Sequence, residues 1–144
     1  MDSRNHIMFG SVGAYLYSHL LGVRPLAPGY TRLRVQPAIV THPDLTHASG
    51  TVWTPLGDVV VSWATAPPPL LRYGLNVTVP PGAWASVEVA CDAGSTMVTE
   101  SGAPVWRAGR AVPGVPGIEG AAVSAFGHVD VQVVSGAYAF ECRK

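Results

Sequence analysis

The sequence predicts a mainly β fold, an antiparallel β-sandwich preceded by one N-terminal α-helix. Three observations carry this reading. Apolar and polar residues alternate at period two through much of residues 33–144. Gly- and Pro-rich turns cut that alternation into short runs, as an antiparallel sandwich requires. Only residues 3–21 place apolar side chains at helical spacing.

The helix comes first. Phe9, Val12, Leu16 and Leu20 recur at intervals of three and four, Ser3 is a suitable N-cap, and Gly22 stands where a terminating glycine belongs. Met8, Tyr15 and Leu21 occupy other faces, and Gly10 and Gly13 permit close backbone approach. A helix apolar around most of its circumference needs burial on several sides, more than one small β-domain offers. Residues 1–22 are therefore expected to belong to a larger helical body. Residues 23–32, with Pro25, Pro28 and Gly29, cannot continue the helix and read as a linker.

The sandwich is expected over 33–144. Strands are predicted near 33–39, 46–54 and 58–64. Leu71, Tyr73, Leu75, Val77 and Val79 then alternate with polar or small residues, as do Ala85, Val87, Val89 and Cys91. Further strands follow near 96–99, 104–107 and 121–126. Val129, Val131 and Val133 form the next row, and Tyr138, Phe140 and Cys142 the last, after a break at Ser135-Gly136.

Composition narrows the function classes. The 144 residues are 48% hydrophobic and only 12% charged, which excludes a disordered chain. Nine basic and nine acidic residues cancel, so no positive field exists for nucleic acid. No apolar run approaches the ~18 residues that span a bilayer, so no membrane partner is expected. The opening Met1-Asp2-Ser3-Arg4 lacks the pattern of a secretory signal, and the compartment stays unknown. Lys144 is the sole lysine. A surface this poor in charge suits a domain partly covered by a neighbour, although genomic composition would give the same count.

Ser3-Arg4-Asn5-His6-Ile7-Met8-Phe9-Gly10-Ser11-Val12-Gly13 resembles the S-x-N-H-x-x-F-G-x-x-G motif of bacterial-type α-L-rhamnosidases, glycoside hydrolase family 78. Gly22-Val23-Arg24-Pro25 with Pro28-Gly29-Tyr30 is similar to the joint that follows it. Leu33-Arg34-Val35-Gln36-Pro37, Thr78-Val79-Pro80-Pro81-Gly82, Glu100-Ser101-Gly102 and Ser135-Gly136-Ala137-Tyr138-Ala139-Phe140 resemble later landmarks in the same order. The resemblance implies that 1–22 is the last helix of an (α/α)₆ barrel whose remainder lies outside this chain, and that 33–144 is the C-terminal sandwich. It implies removal of terminal α-L-rhamnose by inversion. That chemistry needs a carboxylic acid and a carboxylate base about 6.5–9.5 Å apart. Both belong to the barrel, so no catalytic residue is expected in this chain, and its role is structural. The expected partners are that upstream barrel and, through it, a rhamnosylated glycoside.

The carboxylates here look scattered, and the Glu100-Ser101-Gly102 turn explains the most tempting of them. The resemblance places His6 in the sugar pocket of the full-length enzyme, with Asn5 beside it bracing the helix start. His19, His42, His47 and His128 lack ligand spacing, so no metal and no cofactor is expected. Trp84 shares a face with Ser86 and Glu88, opposite Ala85, Val87 and Val89. It should point outward, where an indole can stack on a sugar ring, and it departs from the small polar residue the family carries near this point. Trp63 belongs to the core, while Trp53 and Trp106 are unplaced. Two other readings share these residues: a stand-alone carbohydrate-binding sandwich, and a truncated, non-functional gene product. Cys91 and Cys142 continue apolar rows and read first as buried free thiols, with a bridge open. Asn76-Val77-Thr78 is a glycosylation sequon inside a predicted strand, where its use is not expected.

Overall fold

The computed structural model describes residues 7–38, 44–66, 73–91, 93–94 and 97–143. Helix α1, Ile7–Tyr15, continues into one π-helical turn, Leu16–Leu20, in which Leu21 N–H donates to the carbonyl of Leu16, five residues back. The last carbonyls of a helix have no internal partner. Here the sandwich supplies donors. Arg24 Nε donates to Ser18 O, Ala38 N to His19 O, and Trp63 Nε1 to Leu20 O, each at 2.8 Å. Gly22 then reverses the chain at φ +74°, against the backbone of Gln36, where no β-carbon fits. None of the described helices is long and apolar enough to cross a membrane.

Among the described residues twelve strands follow: β1 Val23–Pro25, β2 Arg32–Val35, β3 His47–Thr54, β4 Gly57–Thr65, β5 Tyr73–Val79, β6 Trp84–Val89, β7 Met97–Glu100, β8 Ala103–Arg107, β9 Arg110–Ala111, β10 Ile118–Val123, β11 Val129–Val133 and β12 Gly136–Arg143. They form two sheets, ordered β1-β2-β6-β11-β10 and β3-β4-β5-β12-β7-β8-β9. The inward rows are those the alternation marks. Val59, Val61 and Trp63 of β4 and Leu75, Val77 and Val79 of β5 face Ala85, Val87, Val89, Val129, Val131 and Val133 from the other sheet. All are buried, each aliphatic Val or Leu contributing about 1.5–3 kcal/mol of burial. Trp63 lies in this core as its row requires.

Several expectations change. The 23–32 segment, read as a linker, contributes β1, which pairs with β2 (Val23↔Val35), and its Pro28-Gly29-Tyr30 is the turn between them. The sandwich is not wholly antiparallel, since β2 runs parallel to β6. Strands β3 to β5 belong to the opposite sheet, so the chain returns beside β2 only after that crossover. Strand β10 lies three residues earlier than expected. Ser124 Oγ accepts from the backbone N–H groups of Phe126 and His128, turning into a loop the stretch whose apolar residues suggested a strand. The two cysteines are not free. Cys91, just past β6, and Cys142, on β12, form a disulfide between the sheets, with Cα atoms 6.0 Å apart.

Candidate functional site

Period two puts Arg34 of β2, Ser86 and Glu88 of β6, and Asp130 of β11 on the outer side of the five-stranded sheet. The register sets Glu88 directly opposite Asp130. The carboxylates are therefore less scattered than the sequence suggests, because strand pairing joins residues 42 positions apart. Both belong to a closed network. Gln36 Nε2 donates to Glu88 Oε2 at 2.9 Å, and His128 Nδ1 lies 2.8 Å from Glu88 Oε1. Ser86 Oγ donates to Asp130 Oδ1 at 2.7 Å, with an Arg34 terminal nitrogen 4.0 Å from Asp130 Oδ2. These long neighbours cover the sheet so well that Ser86 is 3% and Glu88 6% exposed. Buried carboxylates need such partners. The arrangement ties both groups to the protein instead of presenting them to a ligand.

Trp84 stands at the end of this face. It points to the outer side as its row requires, but it is half-buried. Its Nε1–H donates to Glu119 Oε2 at 2.9 Å, and the Arg32 guanidinium lies over the ring, 5.0 Å from the centroid. That cation holds one π-face of the indole. Trp106 is buried and donates to Ala93 O.

Among the described residues the open tryptophan is Trp53, near the tip of the β3–β4 hairpin and 84% exposed. It pairs across the strands with Asp58. Together with Tyr17, Thr51, Val52 and Asp58 it lines an open cleft of about 730 Å³ beside the free edge of β3. The signal for it was in the sequence: Trp53 shares its parity with His47, Ser49 and Thr51, opposite the inward Ala48 and Val52. A smaller hollow of about 280 Å³ lies where β4, β5 and β12 end, next to Tyr73 and Glu141.

His6 and Asn5 lie outside the described residues. Among those described, no three His, Cys, Asp or Glu side chains gather as a metal ion would need. The remaining carboxylates with recorded partners are held locally. Glu100 accepts from Ser101 Oγ and Ala139 N, and Glu141 pairs with Arg143. Two tyrosines are perturbed. Burial, then the charge of Glu88, pushes the Tyr73 hydroxyl above the ordinary phenol range, and Tyr73 Oη has no hydrogen-bond partner among the described residues. Burial, then Glu100 and Glu119, also raises Tyr138, whose hydroxyl reaches Gly117 O and Val134 O.

Comparison with known proteins gives this geometry a setting. Residues 22–104 match the family described as bacterial alpha-L-rhamnosidase C-terminal domain. The chain is 33% identical over 101 residues to an alpha-L-rhamnosidase of Formosa agariphila, covering 70% of this chain and 10% of the relative. It is 34% identical over 80 residues to one of Alteromonas sp. (strain LOR), covering 56% and 8%. Among solved structures, alpha-L-rhamnosidase from Dictyoglumus thermophilum superimposes with a TM-score of 0.75 at 27% identity, covering 100% of this chain and 15% of that one. A Streptomyces avermitilis alpha-L-rhamnosidase complexed with L-rhamnose shares the fold, with a TM-score of 0.73 at 24% identity over 99% of this chain and 12% of that one. The chain thus spans about a tenth of the length of the curated relatives it matches.

Proposed function

The chain belongs to the bacterial alpha-L-rhamnosidase C-terminal domain family, and from that premise we propose that it serves as the structural, non-catalytic end of an α-L-rhamnosidase-like glycoside hydrolase. In this reading an upstream (α/α)₆ barrel removes terminal α-L-rhamnose by inversion. Helix α1 closes that barrel, and the sandwich braces it. His6, with Asn5 beside it in the sequence, contributes to sugar binding in the full-length enzyme. The match over residues 22–104, in a chain whose aligned stretch spans about a tenth of its curated relatives, carries the proposal.

The chemistry of this chain supports the division of labour. Inversion needs two carboxyl groups with a water between them and room for a sugar. Glu88 and Asp130 come closest to being a pair, yet each of their oxygens already faces a protein donor or cation. A general acid must be free to give its proton to the leaving oxygen. These two are built instead to hold β2, β6 and β11 together.

A graft tests the structural role. Put in place of the matching segment of the Formosa agariphila relative, this chain should return a soluble enzyme active on an aryl α-L-rhamnoside. The same relative with that segment deleted should aggregate or lose activity. A deletion form as active as the parent, or a graft no better than the deletion, would defeat the reading.

A further inference from the structure

We infer that the Cys91–Cys142 bridge is a buried redox joint, which makes the stability of this chain depend on oxidising surroundings. This property is separate from the proposed function and holds whatever the chain braces.

The bridge lies where the chain changes sheets. Cys91 is two residues past β6 of the five-stranded sheet, on the way to β7, and Cys142 is on β12, inside the seven-stranded one. Polar ties at this crossing run through Ala93. Its N–H donates to Gly127 O at 3.0 Å, and its carbonyl accepts from Trp106 Nε1 at 2.8 Å. On the strands either side of β12, Tyr73 of β5 and Val98 of β7 stand opposite Cys142. Tyr73 Oη and Thr99 Oγ1, next to Val98, are buried without hydrogen-bond partners among the described residues. Unsatisfied hydroxyls weaken the folded state, and a covalent tie at this corner offsets that loss.

The length of chain enclosed sets the size of the effect. Cys91 and Cys142 are 51 positions apart, so closing that loop removes much conformational freedom from the unfolded chain. Burial sets the rate of exchange. Cys91 is 2% exposed and Cys142 7%, and a thiolate must reach a sulfur before it can attack. Reduction therefore waits for the end of β12 to open. The first thiolate of a reductant attacks one sulfur and frees the other cysteine as a thiol. The second attacks the resulting mixed disulfide and frees the remaining cysteine. The reductant leaves as its disulfide, and the two protons of its thiols end on Cys91 and Cys142. Formation runs the other way, with a disulfide oxidant taking up two electrons and two protons. A bond this buried suits a lasting staple, not a rapidly cycling one. Such bonds persist in oxidising compartments, whereas cytosolic thiols are kept reduced. In reducing surroundings the same chain would carry two buried thiols and melt lower.

Peptide mapping by mass spectrometry, thermal melting and reduction kinetics test this on the 144-residue chain. Made in an oxidising compartment and purified without reductant, it should yield the Cys91 and Cys142 peptides joined, two hydrogens lighter than the free pair. Complete reduction by dithiothreitol should lower its melting temperature by about 10–15 °C. The same chain made in a host cytosol should carry two thiols and melt at that lower value. A chain with both Cys91→Ala and Cys142→Ala should melt near the reduced parent and ignore dithiothreitol. Dithiothreitol should reduce the folded chain at least about a hundredfold more slowly than the urea-unfolded chain. Two alkylated cysteines in the oxidised preparation, or an unchanged melting temperature after full reduction, would overturn the inference. So would equal reduction rates for folded and unfolded chains, since burial would then not guard the bond. If the double variant fails to fold, the parent's own response to dithiothreitol decides.

Discussion

Trp84 and Trp53 both sit on outward-facing strand positions, and what lies beside each ring decides its use. Arg32 and Glu119 hold Trp84 at its face and its nitrogen, while Trp53 has neither. Tyr73 poses a different question, since its buried hydroxyl lacks a partner and is held protonated by burial and by Glu88. Its folded pKa lies above the 10.0 of a free phenol. Its contribution to stability is therefore fully present below about pH 10 and lost as pH rises through the folded value, because the unfolded chain gives up its proton first. Tyr73→Phe should match the parent at neutral pH or exceed it by about 1–3 kcal/mol, the cost of an unsatisfied buried hydroxyl. Above pH ~10 its melting temperature should fall less steeply than the parent's. Tyr138, raised by burial and two carboxylates, keeps part of that alkaline loss in both proteins. Parallel pH curves for parent and variant would show that Tyr73 is not the group being held.

At the level of elements, the helix is two things joined at Tyr17. Residues 11–17 are exposed, whereas Leu21 is buried and Leu20 packs on the core beside Trp63. Deleting residues 1–15 should leave the thermal transition where it is. Deletion through Leu21 should lower it markedly, because Trp63 Nε1–H and the inward side of Gly50, which Leu21 touches, would both be uncovered. Gly22→Ala should cost about 2 kcal/mol or more, since the left-handed turn meets the Gln36 backbone where a methyl would stand. An unshifted transition for either the longer deletion or Gly22→Ala would mean that the joint is not structural. The strands were legible to different degrees. Rows such as Val129, Val131 and Val133 declare themselves because one side is buried and period two admits no other pattern. Strand β1 does not, being three residues long and paired only through its neighbour. Strand β10 was displaced because Ala125 and Phe126 look like strand residues until Ser124 binds the backbone ahead of them.

For the whole molecule, the undercharged composition acquires a location. The charges are split between the sheets: Arg32, Arg34, Glu88, Glu119 and Asp130 lie on the five-stranded one, and Arg107, Arg110, Glu141 and Arg143 toward the β9 edge of the seven-stranded one, whose β3 and β4 hold Asp58 alone among Asp, Glu, Lys and Arg. An over-apolar helix and a single lysine led the sequence reading to expect a covering neighbour. It could not reveal how the charges divide between the two outer faces, because this depends on how the strands pair and the sheets stack. Nor could it pair Glu88 with Asp130 or Cys91 with Cys142, which meet only through long-range register and sheet packing. A sugar-binding role for the motif around His6, which lies outside the described residues, is legible only through resemblance.

We propose that this chain braces a rhamnosidase without performing the reaction. The decisive measurement is hydrolysis of an aryl α-L-rhamnoside by the purified 144-residue chain, set beside the graft into the Formosa agariphila relative. The chain alone should give no turnover above the uncatalysed rate, and the graft ready turnover. Turnover by the chain alone that disappears in Glu88→Gln or Asp130→Asn would contradict it.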